Sequence, residues 1–133
     1  KELRAQHTPG REALLASLNL SVLAARAHGL TVIDGVFNEI ADGPGFDAVC
    51  RQGRAMGFDG KTLIHPGQVD IANEVWAPSA DDVTQAEKVI AAFEEATAEG
   101  RGVITVDGRM IEHLHVDNAR RVLATAAAIA ALG

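Results

Sequence analysis

Cysteine occurs once among the 133 residues, as Cys50, so no disulfide can form within the chain and a reducing, cytoplasmic setting is expected. Tyrosine is absent, and aromatic residues make up only 4%. Basic residues number 12 against 18 acidic ones, a formal charge of -6 that repels a phosphate backbone unless the positive groups gather on one face. The sequence shows no such gathering, no zinc-finger spacing and no basic-aromatic interleaving. Nucleic acid is therefore not an expected partner. No apolar run approaches the roughly 20 residues needed to span a bilayer, and the basic start Lys1, Arg4, Arg11 lacks the following apolar stretch of a signal peptide. No membrane role is expected. The net acidity leaves room for a small anionic ligand, because a site responds to its local lysines, arginines and backbone N–H groups.

What is present, 47% apolar and 23% charged residues, is the composition of an ordinary globular protein. Leu15, Leu18, Val22 and Ala25 share a helical face between Thr8-Pro9-Gly10 and Gly29, and the β-branched run Leu30 to Ile33 follows as a buried strand. The next unit repeats the order. Phe46, Val49, Cys50 and Gly53 share a helical face, Gly57 caps it, and Lys61 to Ile64 reads as a second strand before His65-Pro66-Gly67. Alternation of helix and strand argues for parallel βα units, with functional groups at the C-terminal ends of the strands. A complete (β/α)8 barrel takes about 250 residues, so the chain is either a fragment of one or a smaller α/β arrangement.

Beyond the second strand, Val69 to Trp76 suggests a short helix. Ser79 and Asp82 then open a longer one, whose buried stripe is Val83, Ala86, Ile90, Phe93 and Ala96. Gly102 to Ile111 holds two strand arms around Asp107-Gly108, a strong signal for a tight hairpin. Val116, Ala119, Leu123, Ala126 and Ala130 form one side of an alanine-rich terminal helix that needs a partner to pack against. Ala77-Pro78-Ser79 separates an α/β segment, residues 1–78, from an appendage, residues 79–133.

Among residues able to carry chemistry, Asp34 follows a strand and either orients a ligand or caps its own turn. Glu39 and Asp42 add carboxylates nearby, yet nothing in their spacing makes the three converge on a metal. Lys61 either supports an acidic side chain or faces a ligand, and His65 either positions a carbonyl or hydrogen-bonds its turn. Gly60-Lys61-Thr62 is not a phosphate-binding loop, because the glycine-rich spacing before it is missing. His113 and His115 lie two apart and would share a face of a strand but not of a helix; turn, cap or surface roles are favoured over a zinc pair. Cys50 sits on an apolar helical face and reads as core.

Longer strings carry more. Leu23 to Ala27, Ile33 to Asn38, Gly57 to Gln68 and Val106 to Val116, in this order and spacing, resemble the end of the HpcH/HpaI aldolase and citrate lyase beta-subunit-like superfamily, with malyl-CoA and β-methylmalyl-CoA lyases most similar. The resemblance implies an α/β fold in which this chain is the C-terminal fragment of a TIM (β/α)8 barrel with a C-terminal helical lid region. The last two barrel strands would be Thr31 to Ile33 and Lys61 to Ile64. It implies Mg2+, with Mn2+ as a substitute, held by an upstream glutamate and aspartate, so that no metal ligand falls within this chain and the fragment alone is inactive.

The implied reaction is reversible Claisen-type cleavage of malyl-CoA or β-methylmalyl-CoA to glyoxylate and acetyl-CoA or propionyl-CoA. Asp107 would be the catalytic acid/base, delivered on a mobile lid over a neighbouring subunit, with Asp34, Lys61 and His65 as substrate-site or supporting residues. A homo-oligomer, trimer or hexamer, is implied, with a CoA ester and a 2-oxo acid as small-molecule partners. Alternatives are a citrate lyase beta-subunit-like or citramalyl-CoA lyase activity, and a noncatalytic assembly subunit on the same barrel. The tight Asp-Gly turn also leaves a purely structural role open for Asp107.

Overall fold

A computed structural model describes residues 4–100 and 103–132. The chain divides into two compact units, Lys1–Trp76 and Ala77–Gly133.

In the first unit a 3-10 turn, Glu12–Leu14, leads into α1, Leu15–Ala27. Of the predicted face, Val22 is buried while Leu15, Leu18 and Ala25 are half-buried. The Arg26 guanidinium anchors the end of this helix: it donates to the two Asp59 carboxylate oxygens at 2.7 and 2.9 Å and to the Gly57 carbonyl at 2.6 Å. The parallel strands β1, Ile33–Asp34, and β2, Gly60–Lys61, pair Ile33 with Gly60 and Asp34 with Lys61. Both are shorter than predicted, and β1 is not the buried apolar strand expected. Ile33 is 48% exposed and Asp34 only 1%. The reason is the two-residue period of a strand, which turns Asp34 toward the helices and Ile33 away from them. Helices alternating with parallel strands make this unit α/β, and no closed barrel forms among the described residues.

α2, Gly43–Met56, is capped by Asp42, whose side chain accepts from the Gly45 N–H at 2.9 Å. Its buried stripe is the predicted one, Phe46, Val49, Cys50 and Gly53, and Gly57 closes it with a left-handed φ of 97°. A 3-10 turn, Pro66–Gln68, precedes α3, Val69–Trp76. Phe46, Cys50, Ala72 and Val75 form the core, with Phe37, Leu63, Ile71 and Trp76 packed around it.

The second unit opens with α4, Ala80–Ala98, whose capping box pairs Ser79 and Asp82 reciprocally at 3.0 and 3.1 Å. Ala86, Val89 and Ala96 are its buried residues, so Val89 joins the predicted stripe while Val83, Ile90 and Phe93 lie half-buried. The antiparallel hairpin has β3, Ile104–Val106, and β4, Arg109–Ile111, with Asp107 and Gly108 at its tip. Gly102, the predicted start of the hairpin, lies outside the described residues. Both tip residues have positive φ, 49° and 75°, the backbone that a two-residue turn of this hand requires. α5, His113–Ala130, buries Val116 and Ala119 against Ala86 and Val89.

Candidate functional site

Asp34 stands at the C-terminal end of β1, where a strand hands over to a loop. Its carboxylate is almost fully occupied. Arg11 Nη1 donates to Oδ1 and Oδ2 at 2.8 and 2.9 Å, Lys61 Nζ to Oδ2 at 2.9 Å, and the Gly35 N–H to Oδ1 at 2.8 Å. The Lys61 side chain is 0% exposed, that of Asp34 1% and that of Arg11 12%. One anion thus faces two cations out of water. Close approach of α2 makes this possible, since a Cβ on Gly53 would stand 2.8 Å from Asp34 Oδ2. Arg11 is itself pinned: its Nε donates to Gln52 Oε1 at 2.7 Å, and Gln52 Nε2 donates to the Gly10 carbonyl at 2.7 Å. Asp34 and Lys61, separate candidates in the sequence, are brought together; Arg11, noticed there only as part of a basic start, completes the cluster.

The opposite reading of each residue is resolved differently at His65. Its exposed Nδ1 accepts from the Gly67 N–H at 3.0 Å, closing the turn before α3. Three residues on, Gln68 is 2% exposed. Its amide nitrogen donates to the Phe37 carbonyl at 3.0 Å and its amide oxygen accepts from the Ile64 N–H at 3.0 Å. The two loops that leave β1 and β2 are joined through this one side chain.

Cys50 is fully buried, and burial pushes its thiol up to about 11, so it packs rather than reacts. His113 and His115 lie in the first turn of α5. His115 Nδ1 accepts from the Glu112 N–H at 3.0 Å as part of a capping box, and the His113 ring meets Phe93 edge-on at 5.3 Å. Asp34 faces two cations and Asp42 caps α2, and no group of three potential metal ligands exists among the described residues. No helix of the described residues is long and apolar enough to cross a membrane.

In the second unit Asp107 is exposed at the hairpin tip, 3.8 Å from Lys88 Nζ. Beside it lies an open groove of about 560 Å³, floored by Ala86, Val89 and Ala119 and edged by Asp82, Arg109 and Asn118. The groove is shallow in chemistry: the polar groups stand at its rim.

Parallel βα units that gather buried polar residues at the strand C-termini are the frame of an α/β enzyme subunit. The sequence profile of the HpcH/HpaI aldolase/citrate lyase family matches residues 1–66. A (3S)-malyl-CoA thioesterase of Cereibacter sphaeroides is 56% identical over 133 residues, 100% of this chain and 47% of its own. An L-malyl-CoA/beta-methylmalyl-CoA lyase from the same species is 38% identical over 83% of this chain and 35% of its own. The crystal structure of CitE from Mycobacterium tuberculosis with magnesium, acetoacetate and coenzyme A superposes with a TM-score of 0.71 at 28% identity, covering 88% of this chain and 42% of that one. The chain belongs to the HpcH/HpaI aldolase/citrate lyase superfamily. It spans about half the length of the curated relatives it matches.

Proposed function

We propose that the complete protein acts on the coenzyme A thioester of malate or of β-methylmalate. The observation that carries this reading is the 56% identity, over the whole of this chain, to relatives named (3S)-malyl-CoA thioesterase. Hydrolysis to malate and free coenzyme A is accordingly the leading reaction. The second reading, reversible cleavage to glyoxylate and acetyl-CoA or propionyl-CoA, is favoured by the 38% likeness to a lyase.

Asp107 is the proposed acid/base in either case. In hydrolysis its carboxylate takes a proton from the attacking water as the new C–O bond forms and the thiolate leaves; in carbon–carbon cleavage its acid form returns a proton to the acetyl-CoA enolate. An exposed carboxylate on a tight hairpin suits a group delivered to a substrate held elsewhere. Asp34, Lys61 and His65 shape the rim of the strands, the first two through their mutual ion pair.

The same reading makes residues 1–78 the last two units of a (β/α)8 barrel and residues 79–133 a lid and assembly region. The CitE likeness supports it. It places Mg2+ on residues outside this chain and the active protein in a cytoplasmic trimer or hexamer, which light scattering measures. The deciding assay gives the complete protein (3S)-malyl-CoA with Mg2+ and follows free thiol and glyoxylate separately. Thiol without glyoxylate supports hydrolysis, and glyoxylate without thiol supports carbon–carbon cleavage. Release of neither product overturns the proposal.

A further inference from the structure

We infer that Gln68 is a positioning residue that sets the opening between the two strand-end loops, an inference that rests on the function proposed above. The parallel ladder pairs Ile33 with Gly60 and Asp34 with Lys61, an offset of 27 residues between Cα partners. Its backbone bonds continue as far as the Thr62 N–H, which donates to the Asp34 carbonyl at 2.9 Å. The next rung would bring the Ile64 N–H to the Val36 carbonyl. Instead the Ile64 N–H donates to the Gln68 amide oxygen, and the amide nitrogen donates to the Phe37 carbonyl. The Phe37 carbonyl lies one residue beyond the Val36 carbonyl that the next rung would use, so the amide ties the two strand ends together where the ladder itself stops.

An amide placed in this way widens the strands by one hydrogen-bonded layer where a continuous ladder would have drawn them together. The opening it keeps lies at the C-terminal ends of parallel strands, where α/β proteins take their ligands. Gln68 suits the task because it is 2% exposed and both ends of its amide are satisfied, leaving it little freedom to rotate. It touches no reacting atom. Its effect passes through the loop that begins at Gly35 and through the turn at His65, the two segments that it joins.

Two variants of the complete protein test this with (3S)-malyl-CoA. Gln68→Met keeps the shape and gives up both bonds, and is expected to raise KM about tenfold. Gln68→Glu carries its own control. A protonated carboxylic acid reproduces both bonds of the amide, donating to the Phe37 carbonyl and accepting from Ile64, whereas a carboxylate can only accept. Burial favours the neutral form, so the KM of Gln68→Glu relative to wild type falls toward one as the pH is lowered and rises as the carboxyl ionises. Loss of folded protein alone would lower kcat per total enzyme and leave KM untouched. A wild-type protein that releases neither thiol nor glyoxylate removes the functional reading itself. An active wild-type protein, with both variants at its KM across the pH range, overturns the role of Gln68 and leaves the functional reading standing.

Discussion

Replacing Asp34 by Asn keeps the shape of the side chain and removes the one negative charge of the buried cluster. Arg11 Nη1 and Lys61 Nζ stand 2.8 and 2.9 Å from its carboxylate oxygens, and neither cation has a second carboxylate within reach among the described ion pairs. Two buried positive charges are then left facing a neutral amide, some of whose N–H groups point at them. Breaking a buried pair in this way costs about 3–5 kcal/mol, because the remaining charge stays desolvated and uncompensated. The opposite substitution behaves differently. Lys61→Met leaves Asp34 both of its Arg11 Nη1 contacts and the Gly35 N–H and removes a cation that is 0% exposed, so its cost is expected to be the smaller of the two. Urea unfolding of the complete protein at neutral pH reads both variants through their midpoints at constant slope. Equal costs, or an Asp34→Asn variant within about 1 kcal/mol of wild type, would refute the charge argument. Activity separates the two roles of Asp34: a ligand contact predicts lost turnover at unchanged stability, a scaffold contact predicts the two falling together.

Asp107→Asn keeps the left-handed turn and loses the carboxylate, so oligomer state and stability stay near wild type while turnover of (3S)-malyl-CoA drops roughly 100-fold; a properly assembled variant with wild-type turnover returns Asp107 to a turn residue. Ser79→Ala opens the capping box of α4 and is expected to cost about 1 kcal/mol in thermal or urea unfolding, with Ser79→Asp recovering most of it. Cys50 is neutral when folded up to about pH 11, against 9.0 for a free thiol, so the unfolded chain loses its proton first and stability falls as pH rises from 9 to 11. That window should vanish in Cys50→Ala, and an unchanged pH slope in the variant would show that the thiol is not its source.

Patterns with a local cause were readable from the residues alone. The stripe of α2 follows the helical period, the Ser79 box needs only residues three apart, and Asp107-Gly108 dictates its own turn through two positive φ values. The strands were read less well, because two paired residues per strand present no period to count and because the register, not the sequence run, decides that Asp34 rather than Ile33 is buried. The candidate site was least legible. Arg11 meets Asp34 across 23 residues and Gln68 meets Phe37 across 31, partnerships set by packing rather than by spacing. A hint existed in the polar pair Asp34 and Lys61 on otherwise apolar strand ends, since a buried charge requires a counter-charge. At His65 and His115 the bland alternative describes the geometry: each imidazole closes a turn through Nδ1.

The φ of 49° at Asp107 acts as a filter on which amino acids this hairpin can present at its tip. A left-handed backbone is comfortable for glycine, asparagine and aspartate, and strains nearly every other side chain. Of those three only aspartate ionises. Glutamate, the usual conservative exchange for a catalytic acid, would carry its charge one bond further out on a backbone that resists it. Any lineage or design that keeps this turn and needs a carboxylate at its apex therefore has a single residue to choose, and drift at position 107 can lead to asparagine or glycine, each of which retains the shape and abolishes the charge.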